Sequence, residues 1–158
     1  MVELHKITLV EKFNDIGFEW KNHVGYPQDK FYTNDNTKHD LCFGKIPNCI
    51  LNFARQAFEV FSISLLRQFP GQFIPEHEDK YFKFKEHFPE ILEKDIVRYC
   101  IFLEDWKPGH YFEYALEPVV RWQAGEYIKI YPGVLHRSSN SGSLPKYTCQ
   151  ITGTEVFK

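Results

Sequence analysis

A chain of 158 residues, 43% hydrophobic and 25% charged, has the size and balance of one soluble globular domain spanning 1–158, burying roughly two-thirds of its unfolded surface. Its formal net charge of −2 gives no overall basic surface, so nucleic-acid binding through phosphates is not indicated, although a local basic patch is not excluded. No run has the length of a membrane-crossing helix, and Met1-Val-Glu-Leu-His-Lys6 lacks the apolar centre of a signal peptide.

The cysteines Cys42, Cys49, Cys100 and Cys149 show no CxxC spacing and read as reduced, mostly buried thiols of a cytoplasmic protein. An aromatic content of 17%, with 15 Phe and 9 Tyr, favours a sheet-rich fold, because flat rings suit pleated surfaces.

In chain order, Lys6–Phe13 reads as an early outer strand. From Asn14 to Lys45 the turn formers Asp15, Gly17, Asn22, Gly25, Pro27 and the run Thr33-Asn-Asp-Asn-Thr37 describe a loop-rich edge, with a short strand at Asp40–Gly44. Asn48 reads as the N-cap of a helix whose apolar stripe (Ile50, Leu51, Phe53, Ala54, Ala57, Phe58, Phe61) packs on the outside of a sheet. Phe61–Phe69 is a strand, Pro70-Gly71 a turn and Gln72–Asp79 a second strand. Tyr81–Phe84 continues with aromatic-lysine alternation, and Phe88–Lys94 forms a short helical turn.

Asp95–Leu103 is the most strand-like run in the chain, broken by Glu104-Asp-Trp-Lys-Pro-Gly109. Further strands are predicted at His110–Tyr114, Val119–Trp122, Glu126–Tyr131 and Lys146–Thr152, separated by Ala124-Gly125, Pro132-Gly133 and Asn140–Pro145. Short strands with Gly and Pro at the corners argue for a β-barrel or jelly roll.

His77 and Asp79 lie at i and i+2 on a strand, so their side chains leave the same face and can reach one metal ion. His136, in Gly133-Val-Leu-His136, is the best third donor. Two histidines and one carboxylate form the facial triad of non-haem Fe(II) oxygenases, which leaves coordination positions open. By itself His-x-Asp carries little weight in a chain with seven histidines, where His77 among Glu76, Glu78 and Asp79 also reads as a surface residue. His5, His23, His39 and His87 read as surface residues, and His110 has no partner at metal spacing.

Together these parts resemble the Fe(II)/2-oxoglutarate-dependent dioxygenase superfamily, and within it the small prolyl-hydroxylase-like members found in bacteria and phages. The resemblance runs from Phe69 to Gly153 and rests on Gly71 and Pro75 before His77-x-Asp79, on Arg98–Leu103 leading to Trp106-Lys-Pro-Gly109, on Trp122-x-x-Gly125-Glu, on Pro132-Gly-Val-Leu-His136, and on Asn140-x-Gly142 with Lys146-x-Thr148. It implies a double-stranded β-helix (jelly roll) with one or two supporting helices. It also implies Fe(II) held by His77, Asp79 and His136, and hydroxylation of a substrate C–H bond with 2-oxoglutarate and O2 converted to succinate and CO2.

In the family a basic residue about ten positions past the second histidine, and a hydroxyl two further on, take the distal carboxylate of 2-oxoglutarate. Lys146 and Thr148 stand there, where most members have Arg and Ser. Lysine brings a compact point charge in place of a fork. Independently, Lys146, Thr148 and Gln150 share one strand face, and Tyr147, Cys149 and Ile151 the other. The polar face belongs inside a barrel and the apolar one under the helix.

Arg137 points away from His136 and ranks below Lys146 as a carboxylate binder; Tyr99 reads as core rather than as a cosubstrate contact. Asp79, where a halogenase variant would carry Ala or Gly, argues against that chemistry. Two alternatives stay open: a cupin-like metal enzyme that does not use 2-oxoglutarate, and a non-catalytic jelly-roll binding module. The primary substrate, whether protein side chain, amino acid, nucleobase or metabolite, is not written in any motif.

Overall fold

Period-two alternation of apolar and polar residues builds two antiparallel sheets that face each other. The computed structural model describes residues 2–24 and 38–156. In chain order the strands are β1 (His5–Lys6), β2 (Lys21–Val24), β3 (Lys38–Cys42), β4 (Phe58–Gln68), β5 (Phe73–His77), β6 (Val97–Phe102), β7 (His110–Tyr114), β8 (Glu117–Val119), β9 (Glu126–Ile130), β10 (His136–Asn140) and β11 (Lys146–Glu155). Helix α1 covers Asn48–Ala57 and α2 covers Phe82–His87.

The larger sheet has the order β1-β9-β6-β11-β4-β3-β2 and the smaller β5-β10-β7-β8. This is the double-stranded β-helix expected from the sequence, mainly β with two helices. Among the described residues no helix is long and apolar enough to cross a membrane.

The outer face of the larger sheet carries one core. Ile50 and Ala54 of α1 pack there with Leu65, Tyr99, Ile101, Cys149 and Ile151. Tyr99 therefore belongs to the core beneath the helix, as read from the sequence, and stacks on Tyr127 at 4.8 Å between ring centroids. A second cluster (Cys100, Phe102, Phe112, Trp122, Ile128, Ile130) fills one end of the space between the sheets. There Phe102 and Trp122 stack at 4.0 Å.

Several elements differ from their predicted bounds. The first strand is only His5–Lys6, followed by one further backbone bond from Ile7 to the Gly125 carbonyl. Past it Leu9 and Phe13 pack on the outer core without a strand ladder. The helix cap is Pro47, with no side-chain hydrogen bond, and Asn48 is the first helical residue.

The helix ends at Ala57 instead of running to Phe61. Phe58-Glu-Val-Phe-Ser-Ile-Ser also alternates with period two, and pairing of that run with β11 along its length decides for the strand. Tyr81 has φ 51, which breaks the extended run, so the Tyr81–Phe84 alternation becomes α2. The turn predicted within Phe88–Lys94 is a 3-10 turn at Glu93–Asp95.

Strand β8 precedes its predicted position because Ala115 and Leu116, both at positive φ (52 and 65), form a two-residue hairpin after β7. Strand β2 was not anticipated; of the predicted loop edge, Gly25, Pro27 and 33–37 lie outside the described residues.

Candidate metal centre

His77 and His136 are direct cross-strand partners in the β5–β10 pair. The register slips by one residue just beyond them, with Ser138 opposite Ile74, so β5 carries an extra residue around Pro75. Proline has no N–H to give to a ladder, which suits it to this irregular position. Asp79 follows two residues after His77. The ligand-capable atoms of His77, Asp79 and His136 lie within 4.8 Å of one another.

Both imidazoles are held by their own backbone. His77 Nδ1 is 2.7 Å from the Pro75 carbonyl, and His136 Nδ1 is 3.0 Å from the Val134 carbonyl. A carbonyl only accepts, so each Nδ1 donates, and in a neutral ring the lone pair is left on Nε2. Those Nε2 atoms lie 3.8 Å (His77) and 3.7 Å (His136) from Asp79 oxygens. Burial lowers the His136 pKa to about 4, which keeps its ring neutral, with the Asp79 charge pulling the other way.

Asp79 is buried, and its two oxygens have different surroundings. Arg98 Nη1 donates to Oδ1 at 2.6 Å, while Oδ2 is buried without a hydrogen-bond partner. The bare Oδ2 and the lone pair of His136 Nε2 thus face each other at 3.7 Å, with His77 Nε2 3.8 Å from Oδ1. That arrangement repels itself unless a cation sits there, and the N,N,O donor set suits a divalent transition metal. The residues fit a metal ion.

The triad opens onto a cavity of about 460 Å³ between the sheets. Hollows of about 720 and 1090 Å³ lie elsewhere on the molecule, but the triad lines neither of them. Strands β4 and β11 build the cavity floor by pairing Ser62 with Thr152, Ser64 with Gln150, Leu66 with Thr148 and Gln68 with Lys146. The polar face of β11 therefore points into the barrel and its apolar face lies under α1, as predicted.

Thr148 lines the cavity directly. Lys146 is 2% exposed and stands behind the wall, its Nζ donating to Ser138 Oγ and to the Tyr111 carbonyl, each at 2.5 Å. Ser138 itself lines the cavity and donates its own hydrogen bond to Gln68 Oε1 at 2.7 Å. The ammonium has no carboxylate partner among the described residues, and it lies over the faces of Phe112 and Trp122, at 5.7 and 5.5 Å. Burial without a counter-charge lowers its pKa to about 7.

Arg137 is paired with Glu113 at 2.7 Å. Trp106 donates to the His110 carbonyl and packs against the cluster that holds Trp122; it is not among the residues lining the cavity.

Two histidines, His39 and His23, differ from the sequence reading. His39 is buried, lines the cavity and faces His23 at 4.9 Å between centroids; burial lowers its pKa to about 3. His23 is half-buried on the same wall. His110 is buried with Nε2 3.1 Å from the Leu144 carbonyl. Arg98 escaped notice, although a lone charge inside the run Ile96-Val-Arg-Tyr-Cys-Ile is a signal, since a buried strand tolerates a charge only with a partner. At the mouth, Phe43 and Phe82 are 59% and 73% exposed.

No protein-family model matches the chain, and no curated protein matches it significantly. Among solved structures, the chain is similar to a Pseudomonas putida prolyl-4-hydroxylase (14% identity, 76% of this chain and 72% of that one, TM-score 0.54). It also matches a predicted oxalate decarboxylase from Thermotoga maritima (12% identity, 74% and 81% coverage, TM-score 0.47). At 14% identity the likeness to the hydroxylase is one of fold alone.

Proposed function

We propose that this protein is an Fe(II)- and 2-oxoglutarate-dependent dioxygenase that hydroxylates a substrate C–H bond. The observation that carries the reading is the pairing, in one barrel, of a convergent His77/Asp79/His136 donor set with a buried ammonium, Lys146, that lacks a counter-ion among the described residues. A buried charge of this kind costs several kcal/mol unless something compensates it. A dicarboxylate cosubstrate is a natural compensation.

Under this reading His77, Asp79 and His136 hold the metal through Nε2, Oδ2 and Nε2. Fe(II), when bound, supplies the redox chemistry that couples O2 to oxidative decarboxylation of 2-oxoglutarate. The chain does the rest. The Pro75 and Val134 carbonyls fix both imidazole tautomers. Lys146 and the Thr148 hydroxyl take the distal carboxylate, which reaches Nζ past Ser138. Phe112, Leu66 and Ile74 give the cavity apolar walls that exclude water. The substrate enters past Phe43 and Phe82, whose exposed rings suit an apolar or planar group.

One observation favours the cupin-like alternative, a metal enzyme without 2-oxoglutarate. Lys146 closes on Ser138 and the Tyr111 carbonyl, so two of its three N–H donors are met within the protein. Anaerobic titration with Fe(II) and 2-oxoglutarate separates the two. The proposal expects the visible metal-to-ligand charge-transfer band of the chelate. Metal binding without that band, at saturating 2-oxoglutarate, assigns the protein to the alternative.

A further inference from the structure

Resting on the metal reading above, we propose that Arg98 is a positioning residue that makes Asp79 a one-oxygen ligand. Its Nη1 holds Oδ1 at 2.6 Å and its Nε donates to Thr152 Oγ1 at 2.9 Å. The guanidinium also lies 5.3 Å from the centroid of the Tyr81 ring. Arg98 comes from β6, inside the larger sheet, whereas Asp79 leaves the smaller one, so the bond spans the two sheets. With Nε committed to Thr152, the guanidinium cannot turn to follow the carboxylate.

A structural ion pair alone would account for less. Such a pair gains most when the guanidinium fork meets both carboxylate oxygens. Here Arg98 takes one oxygen and leaves the other, Oδ2, buried without a partner and 3.7 Å from His136 Nε2. Removing Oδ1 from the donor set stops Asp79 from chelating through both oxygens. A coordination position that a second oxygen would fill then stays free for other ligands.

Co(II) is the probe, titrated anaerobically into metal-free protein and followed by its visible ligand-field absorption, which reports coordination number. Wild type should bind one Co(II) per chain. Arg98→Met should weaken binding by about 10–100-fold, the usual effect of removing a group that orients a ligand, and should alter the band as Asp79 becomes free to offer both oxygens. Arg98→Lys, which restores a donor to Oδ1, should recover the wild-type band and part of the affinity.

An Arg98→Met protein with the wild-type band and affinity overturns the inference. So does tighter binding, which would make Arg98 a competitor of the metal. Should Arg98→Met fail to fold by circular dichroism, Thr152→Val releases the guanidinium at Nε instead. A band change in the same direction with a few-fold loss supports the role, and an unchanged band overturns it. No Co(II) binding by wild type would sink the metal reading itself, and this inference with it.

Discussion

His77 and His136 face one another across a single rung of the β5–β10 ladder, their ring centroids 4.3 Å apart. Each ring is held by a carbonyl two residues before it in the chain, so neither depends on the other for its orientation. Replacing one by Ala should therefore leave the second in place and the sheet paired. His77→Ala should lose at least about 100-fold in Co(II) affinity while the metal-free protein unfolds at nearly the wild-type temperature. Metal in excess should raise the wild-type midpoint, by mass action, and leave that of the variant unmoved. A metal-induced shift of wild-type size in His77→Ala would remove it from the donor set.

Lys146 makes a prediction about stability and pH. Its pKa in the fold, about 7, lies below the ordinary lysine value of 10.5. Between those values the unfolded chain binds the extra proton, so stability rises as pH rises from about 7 towards 10, by roughly 2–4 kcal/mol. Urea unfolding at several pH values should show this rise in wild type and lose it in Lys146→Met. Below pH 7 the Met variant should be the more stable of the two, since an apolar chain there leaves no uncompensated charge.

Under the 2-oxoglutarate proposal, the same depressed pKa would couple cosubstrate binding to proton uptake. At pH 8 the lysine of the ligand-free protein is mostly neutral, and a carboxylate placed against it favours the charged form. Calorimetric titration of 2-oxoglutarate into the metal-loaded protein, in buffers of different ionisation enthalpy, should report uptake of about one proton at pH 8 and much less at pH 6. Lys146→Met should weaken 2-oxoglutarate by about 3–5 kcal/mol with metal affinity nearly intact. Unchanged 2-oxoglutarate affinity in that variant would take Lys146 out of the site.

A fourth prediction concerns the loop that delivers Lys146. Asn140 is buried, and its Nδ2 donates to the Gln68 and Leu144 carbonyls at 2.9 and 2.8 Å while its Oδ1 accepts from the Gly142 amide at 3.0 Å. Gly109, at φ +89, lies so close to Gly142 that a Cβ would overlap the Gly142 backbone. Gly109→Ala therefore combines a strained conformation with a collision that no rotamer relieves, and should cost at least about 2 kcal/mol in chemical denaturation. Gly71→Ala is the control: it has positive φ too, but open space around its Cβ, and should cost only about 1 kcal/mol.

The barrel and its candidate donors were readable because their signals are local. His77-x-Asp79 needs only the two-residue period of a strand, and the faces of Lys146–Thr152 follow from the same rule. What escaped depends on contacts between distant segments. Arg98 acquires its role only when β6 lies across the barrel from Asp79. His39 looks like a surface residue until β3 joins the edge of β4 and turns it towards the cavity. Ala115-Leu116 carries no turn signal, and its positive φ values are imposed by the pairing of Tyr114 with Glu117. The Phe58–Phe61 overlap fits both periods, and only the long ladder with β11 decides between them.

The two walls of the barrel differ in what they contribute. Both histidines and the approach to Asp79 come from the smaller sheet, while Lys146, Thr148, Gln150 and Ser64 come from the larger. Substitutions along the inner faces of β4 and β11, Thr152 apart, can therefore reshape what the cavity accepts without displacing a candidate metal donor. An architecture divided in this way lets one wall vary in descendants while the candidate donors on the other are inherited unchanged.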